Sequence, residues 1–115
     1  MSSIAGKISK FTKSEIAYLF QHARRVFKSS ACVILKTRRQ RDFSRILIVI
    51  SRKVGSAPER NKLRRQIKSI FYQQRLFNSS FDYVCILYKP AVQLAFNDIK
   101  QILLRVYEET QSSAA

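Results

Sequence analysis

The segment from Ser56 to about Gln74 constrains the fold of this chain most, because it has the features of a helix with two unlike faces. Ser56 and Glu59 have the spacing of a capping box, and Pro58 falls in the first turn, where a missing N–H is tolerated. Four apolar residues recur at helical spacing, namely Leu63, Ile67, Ile70 and Phe71. We therefore expect a long helix that packs on a core through this stripe.

The opposite face of this predicted helix is basic. At 3.6 residues per turn its polar residues fall within about 140° of one another, and these are Arg60, Asn61, Arg64, Arg65 and Lys68. Solvated helix surfaces normally alternate acids and bases, but Glu59 is the only acid in the segment. Because an arginine fork can bind two phosphate oxygens, this face predicts a phosphate-binding surface.

The charge of the whole chain points to the same class of partner. The chain has 22 Lys and Arg against 7 Asp and Glu, and the stretch from Arg24 to Lys68 holds 15 bases and 2 acids. Such repulsion opposes folding, and a polyanion relieves it. Nucleic acid is the first candidate partner and an anionic membrane surface is the second.

The remaining hydrophobic patterns predict an α+β fold. The predicted elements are a helix over Ser14–His22, strands over Cys32–Thr37, Arg45–Val54 and Asp82–Tyr88, and a helix over Phe96–Glu109 with Phe96, Ile99, Leu103 and Val106 inward. One more short strand would give the order α-β-β-(β)-α-β-α, a two-layer α/β sandwich with a small, mostly antiparallel sheet of about four strands. The continuous apolar run Ile46–Ile50 predicts a central strand buried on both faces.

The chain is expected to form a single RNA-binding domain over residues 1–115, with about 10–109 ordered and flexible tails at both ends. The longest apolar run is far shorter than the ~20 residues that span a bilayer, so no transmembrane helix is predicted. The N-terminus has no continuous apolar segment typical of a signal peptide. A cytoplasmic location is the expectation.

Few residues suggest catalysis or metal binding by the protein itself. Cys32 and Cys85 lie in strand-like apolar runs and are expected to be reduced, buried thiols. The single histidine, His22, cannot complete a zinc site with them, and the acids are scattered along the chain, so neither a catalytic residue nor a metal ligand is predicted. The turn over residues 38–42 is either a phosphate contact or a solvated hairpin tip.

The stretch from Val49 to Phe71 resembles the signature of the bacterial ribonuclease P protein family. It has a strand that ends in Ser51–Arg52–Lys53, then Gly55, then the helix pattern Arg60–Asn61–x–x–Arg64–Arg65–x–x–Lys68–x–x–Phe71. The resemblance extends over about residues 10–109, and the Tyr88–Lys89–Pro90–Ala91 turn before the last helix also fits. A family member would be the protein subunit of an endoribonuclease whose RNA subunit is the catalyst.

The resemblance implies a function and a set of partners. The holoenzyme would remove the 5′ leader of precursor tRNA with Mg²⁺ that is held mainly by RNA, and the protein would supply no catalytic side chain. The partners would be the catalytic RNA and precursor tRNA, with no membrane and no obligate protein partner. It also implies a left-handed β-α-β crossover through the basic helix, against the right-handed default.

The resemblance also assigns residues to two surfaces. Contacts to the catalytic RNA are expected from Arg52, Lys53, Arg60, Asn61, Lys62, Arg64, Arg65 and Lys68. The single-stranded leader is expected in a cleft between the first helix and the sheet, lined by Ile16, Phe20, Ile34, Lys36 and Lys89. The family commonly has aromatic residues at the positions of Ile16 and Ile34, so leader binding here should depend less on stacking, unless Tyr18 or Phe27 compensates.

Two other classes of function fit part of these observations. A ribosomal or RNA-chaperone protein would also use a basic helical face, without any link to an endonuclease. A membrane-surface protein would need an apolar helical face free for lipid, but here the apolar stripes are required for the core. Phe20 could also be an ordinary packing residue.

Overall fold

Four strands form one mixed sheet, and three α-helices pack on it. The computed structural model describes residues 4–113, without the side chains of residues 112 and 113. The elements are α1 (Lys13–His22), β1 (Arg24–Lys28), β2 (Cys32–Arg38), β3 (Ile46–Ile50), α2 (Ala57–Gln73), β4 (Phe81–Leu87) and α3 (Phe96–Ser113). The strand order is β1-β2-β4-β3, in which only the β3–β4 pair is parallel. The predicted α+β fold is confirmed, and β1 is the additional strand.

The parallel strands β3 and β4 are joined by α2, as the predicted β-α-β unit requires. The handedness of this crossover stays a prediction. The expectation that β3 is a central strand is wrong, because β3 lies at one edge of the sheet and only Ile46 in it is fully buried. Its apolar run serves two separate surfaces: Ile46, Ile48 and Ile50 pack on the main core, while Leu47 and Val49 lie half-buried on the opposite face.

The main core lies between one face of the sheet and the helices α2 and α3. The stripe predicted for α2 is fully buried, with Leu63, Ile67, Ile70 and Phe71 each at most 3% exposed. In α3 the prediction is confirmed for Ile99, Leu103 and Val106, but Phe96 is 41% exposed because it is the first residue of the helix and precedes the buried stripe. Both cysteines are buried in this core and free, as predicted.

Both ends of the described range contact the rest of the fold. Ile8 is buried in the main core, and its carbonyl oxygen accepts a 2.7 Å hydrogen bond from the N–H of Ile46 at the edge strand. At the other end, α3 continues past Glu109, and Thr110 is buried. The boundaries 10–109 stay a prediction, and residues 1–3 and 114–115 of the predicted tails lie outside the described residues.

The buried guanidinium of Arg45 attaches α1 to the second face of the sheet. Its Nη2 lies 2.9 Å from Oε2 of Glu15 in α1 and 3.5 Å from Oδ2 of Asp82 in β4. Its Nη1 donates to the carbonyl of Lys10 at 2.9 Å, and the group lies over the ring of Phe11. Burying a charge is costly unless it is paired and hydrogen-bonded. Nη1 and Nη2 of Arg45 are paired or hydrogen-bonded, whereas its buried Nε has no hydrogen-bond partner among the described residues.

The two carboxylate oxygens of Glu15 make different contacts. Oε1 accepts from the N–H of Thr12 in a capping box that begins α1, and Oε2 faces both Arg45 and Arg41. The hydrogen bond from Arg45, followed by that from Thr12, lowers the pKa of Glu15 from 4.5 to about 2. Burial has the opposite effect on Asp82 and raises its pKa despite the nearby Arg45.

The loop between β2 and β3 is not a hairpin. Its two strands are separated in the sheet by β4, so the chain crosses the end of β4 between them. Arg39 donates to the carbonyl of Ser79 at 3.1 Å, and Arg41 pairs with Glu15 at 3.3 Å. The hairpin-tip interpretation of residues 38–42 is therefore wrong, and two of the three arginines among those residues, Arg39 and Arg41, have partners within the protein.

The start of α2 depends on a close approach at Gly55. The predicted capping box is present, with Glu59 Oε1 accepting from the N–H of Ser56 at 2.9 Å. A Cβ at Gly55 would lie 2.9 Å from Glu59 Oε1 and 3.2 Å from Cγ2 of Val92. Gly55 has extended backbone angles, so space and not conformation requires glycine here.

We predict that Glu15→Gln lowers the free energy of unfolding at pH 7 by about 2 kcal/mol, since it removes a charged partner of buried Arg45. The folded pKa of Glu15 lies below its ordinary value, so its ionic contribution is complete above about pH 5 and is lost as the pH falls toward 2. Urea unfolding of both proteins between pH 7 and pH 3 measures this. The difference in the free energy of unfolding between the two proteins should shrink as the pH falls, and a difference that stays constant would contradict the pairing of Glu15 with Arg45. Asp82 is present in both proteins, so its titration does not affect this difference.

We predict that Gly55→Ala lowers the free energy of unfolding by about 1 kcal/mol, because the methyl group displaces the capping carboxylate of Glu59. Gly6→Ala is the matched control, since a Cβ there has no atom within 4 Å. Thermal unfolding measures both variants. Equal melting temperatures for the two would show that the close approach at Gly55 is relieved without cost.

Candidate nucleic-acid interface

The solvent-facing side of α2 presents the predicted cations together. Burial of the Leu63–Phe71 stripe turns the other side of the helix outward, and along it Asn61, Lys62, Arg65 and Lys68 are exposed while Arg64 is half-buried. We call Asn61, Lys62, Arg64, Arg65 and Lys68, with Arg52 and Lys53 before the helix, the basic surface. Its cations are free to meet phosphate over roughly two turns of helix.

Hydrogen bonds hold Arg64 of the basic surface and the neighbouring Arg60 in place. Arg60 turns back toward the preceding loop, where Nη1 donates to the carbonyls of Gly55 and, at 3.3 Å, Arg52. Arg60 therefore fastens the loop that carries Arg52 and Lys53 as well as adding charge. Asn61 Oδ1 accepts from Nη1 of Arg64 at 3.1 Å, which orients that guanidinium.

The second face of the sheet forms an apolar floor beside α1. Alternation along the strands places Val33 and Leu35 of β2, Leu47 and Val49 of β3, and Val84 and Ile86 of β4 on this face. All of these except Val84 are half-buried, so the floor is open to solvent beyond the cover of α1. Leu19 of α1 is fully buried, whereas Phe20 beside it is 51% exposed. We call this floor, with Phe20, the cleft.

Two residues predicted for the cleft lie on the other face. Ile34 is 1% exposed in the main core, and Lys36 pairs across the sheet with the core residue Tyr83 and lies over the ring of Phe81. The assignment of both to the cleft is wrong by one position, because adjacent strand residues point to opposite faces. Leu35, the neighbour of both, is the residue that lies on the cleft side. Phe27 also packs on the main core and does not compensate.

The other predicted cleft residues are accessible. Phe20 is exposed and Ile16 is half-buried on α1, and Lys89 is exposed directly after β4. Tyr18 is 38% exposed, with its ring centroid 4.3 Å from that of His22. The packing interpretation of Phe20 does not hold, because half of its surface is in contact with solvent.

Tyr88 is a cleft residue that the sequence analysis missed. It continues β4 in extended conformation, and alternation from Val84 and Ile86 puts it on the cleft face, where it is 44% exposed. Its backbone N–H donates to the carbonyl of Ala31 at 2.8 Å, which fixes its position. The signal was present in the alternation Asp82, Val84, Ile86, Tyr88.

Cations border the cleft on the edge strand β1 and beyond the carboxyl ends of β3 and β4. Arg25 and Lys28 of β1 pair with Leu35 and Val33, so they belong to the same face, and both are exposed. On the other side of the sheet, β3 and β4 are parallel neighbours, so their carboxyl ends lie side by side. The residues that follow those ends, Arg52, Lys53 and Lys89, therefore gather at one edge. This edge connects the cleft to the basic surface.

The described part of the chain has neither a cluster of metal-ligating side chains nor a helix that could span a membrane. Among residues 4–113, no group of three or more His, Cys, Asp or Glu side chains could hold a metal ion. In the same range no helix has the length and apolarity needed to cross a bilayer. The chemistry that both surfaces offer is the binding of phosphates and bases.

Comparison with known proteins identifies the relatives of this arrangement. The family model described as Ribonuclease P matches residues 11–111. The ribonuclease P protein component of Halalkalibacterium halodurans is 26% identical over 98 residues, which cover 84% of this chain and 82% of that protein. The RNase P protein of Thermotoga maritima superposes with a TM-score of 0.74 at 25% identity, covering 88% of this chain and 96% of that one. That of Staphylococcus aureus has the same fold, with a TM-score of 0.75 at 22% identity over 88% and 93% of the two chains.

Proposed function

This chain belongs to the ribonuclease P protein family, and we propose that its basic surface binds the catalytic RNA while its cleft binds the 5′ leader of precursor tRNA. As the protein component of the tRNA 5′-processing enzyme, it works within a ribonucleoprotein endoribonuclease. The assignment of the catalytic RNA and the leader to different surfaces rests on the row of cations on α2. This row lies opposite a fully buried stripe and outside the cleft.

The basic surface suits a folded RNA. Arginine forks bind phosphate oxygens in pairs, and the Asn61–Arg64 hydrogen bond holds one such fork in place before RNA arrives. Lys62 and Lys68 contribute point charges, which attract phosphate with less demand on geometry. A rigid helix with cations at intervals of one turn can follow an RNA backbone without reading its sequence.

The cleft suits a single strand. Single-stranded RNA is bound where aromatic rings stack on unpaired bases and cations follow the backbone. Phe20 and Tyr88 supply exposed rings, while Arg25, Lys28 and Lys89 supply charge at the rim. The floor of Leu35, Leu47 and Val49 is aliphatic and offers apolar contact without stacking. The leader is therefore held by charge and two rings.

The cleavage chemistry belongs to the RNA in this proposal. We propose that Mg²⁺ is held mainly by RNA phosphates, and that the net charge of +15 lets the RNA compact at lower Mg²⁺ by screening its phosphates. The protein contributes binding free energy and leaves the reacting atoms to RNA and metal. A cytoplasmic location, where precursor tRNA is processed, follows from the same proposal.

Reconstitution tests the function directly. We predict that the cognate catalytic RNA cleaves precursor tRNA at low Mg²⁺ only when this chain is added, and that Arg64→Ala combined with Arg65→Ala restores the need for high Mg²⁺. The double variant should also weaken binding to the catalytic RNA and flatten its salt dependence by about one counterion-release unit per lost phosphate contact. Leader cleavage by the chain without RNA would refute the assignment.

Arg105→Ala is the matched control for the arginine variants. Arg105 is a highly exposed arginine on α3 and lies outside the basic surface. Its ion pair with Glu109 is exposed to solvent and contributes little to stability, so Arg105→Ala removes one charge with little other effect. Its salt slope should match that of the unaltered protein. If the control and the double variant have equal slopes, the cations of α2 face solvent in the complex.

The cleft yields a separate prediction. Phe20→Leu and Tyr88→Leu should each reduce the preference for leader-bearing precursor over mature tRNA by about fivefold or more, since stacking contributes ~1–3 kcal/mol per base. Binding of the catalytic RNA alone should stay unchanged. Equilibrium binding of precursor and mature tRNA to the holoenzyme measures the ratio. An unchanged ratio with a lower melting temperature would show that these rings only pack.

A further inference from the structure

Two stacked rings, of which one is exposed, lie at the far end of α2. Tyr72 is 42% exposed in the last turn of the helix, and its ring stacks on Phe77 with centroids 5.9 Å apart and planes 30° from parallel. Phe77 is itself half-buried against the main core, so it supports Tyr72 from beneath. One face of the Tyr72 ring is thereby fixed, and the side chain has little freedom left to lose on binding.

Tyr72 continues the basic surface. At 3.6 residues per turn it lies about 20° from Arg65 and about 40° from Lys68 around the axis of α2, and about 6 Å beyond Lys68 along it. Tyr72 therefore belongs to the same row as these cations and not to the buried stripe. An RNA backbone that runs along the row would bring its next nucleotides to this ring.

A groove of about 390 Å³ opens beside the ring. Its walls are Tyr72, Gln73, Arg75, Phe77 and Asn78. Gln73 and Asn78 are exposed amides, each with donors and an acceptor that match the edge of a base. Arg75, which is also exposed, adds a cation to this lining. Ring, amides and cation together are what recognition of an unpaired nucleotide uses.

The backbone at Arg75 is unusual. Arg75 follows the end of α2 with φ 55 and ψ 35, and it is the one non-glycine residue with positive φ among residues 4–113. Glycine is the usual residue at this position after a helix. Here the residue in the left-handed conformation is an arginine close to Tyr72. The chain therefore has a cation at a position where glycine would adopt the backbone conformation with less strain.

We propose that Tyr72, supported by Phe77 and flanked by Arg75, is a stacking platform for an unpaired nucleobase of the catalytic RNA. The proposal rests on the proposed function, because continuity with the basic surface is what selects RNA as the occupant. The charge of the row disfavours a basic partner such as a second copy of this chain. The platform extends phosphate contact on α2 into a contact with a base.

Variants at one position test the platform in the reconstituted complex. Tyr72→Leu keeps an apolar cover on Phe77 but removes the ring, and it should weaken binding to the catalytic RNA by about fivefold or more. Tyr72→Phe and Tyr72→Trp should restore affinity, because both keep a stacking ring. The salt slope of Tyr72→Leu should remain that of the unaltered protein, since no charge is lost.

Chemical probing of unpaired bases gives a second readout. A base of the catalytic RNA that is protected in the normal complex should become reactive with Tyr72→Leu and be protected again with Tyr72→Phe. Phe96→Leu is the control, since Phe96 is a ring of similar exposure, 41%, that begins α3 and is not part of the basic surface. It should change neither affinity nor protection.

The outcomes separate this proposal from the proposed function. Normal affinity and protection with Tyr72→Leu would overturn the platform, even where the Arg64→Ala, Arg65→Ala variant confirms the basic surface. Equal losses with Tyr72→Leu and Tyr72→Phe would overturn stacking in favour of the hydroxyl group. If the arginine variant binds normally as well, then it is the proposed RNA surface that fails.

Discussion

The buried guanidinium of Arg45 is the interaction on which the position of α1, and with it the shape of the cleft, depends. It joins α1, β4 and the amino-terminal segment through Glu15, Asp82 and the Lys10 carbonyl. Without it, α1 has only Leu19 fully buried to hold it on the sheet. A single apolar contact does not fix the position of a helix, because it has no preferred direction. A charged group with directed hydrogen bonds does fix the position of α1 on the sheet. The cleft therefore has a defined width because an ion pair sets it.

The same network compensates the charge of two carboxylates in a strongly basic protein. Glu15 lies at the end of the cleft, where an uncompensated carboxylate would repel phosphate. Its two neighbours, Arg45 and Arg41, turn it into the centre of a cationic group. Asp82 is removed from solvent altogether beneath Arg45. Two of the seven acids thus serve the fold without weakening the positive field of the cleft.

Helical features could be predicted from the sequence because they are local. The capping box at Ser56, the buried stripe and the opposed cations of α2 all follow from spacing within one segment. Sheet position is not local: an apolar run such as Ile46–Ile50 fits a central strand or an edge strand that packs on both sides. The face of a strand residue needs the register, and an error of one position moved the expected cleft residue from Leu35 to Ile34. Tyr88 was missed for the same reason, since its role appears only when β4 is paired.

The two surfaces meet at the edge where β3 and β4 end, and this juxtaposition follows from the one parallel pair in the sheet. Parallel strands end on the same side, so the chain leaves β3 toward α2 and leaves β4 toward α3 at neighbouring points. Gly55 lies close enough to Val92 that a methyl group would touch it. Arg60 holds the carbonyls of Arg52 and Gly55, so it fixes this junction from the side of the basic surface. An antiparallel β3 would place Arg52 and Lys53 at the opposite end of the sheet from Lys89, and these three cations would then no longer lie together.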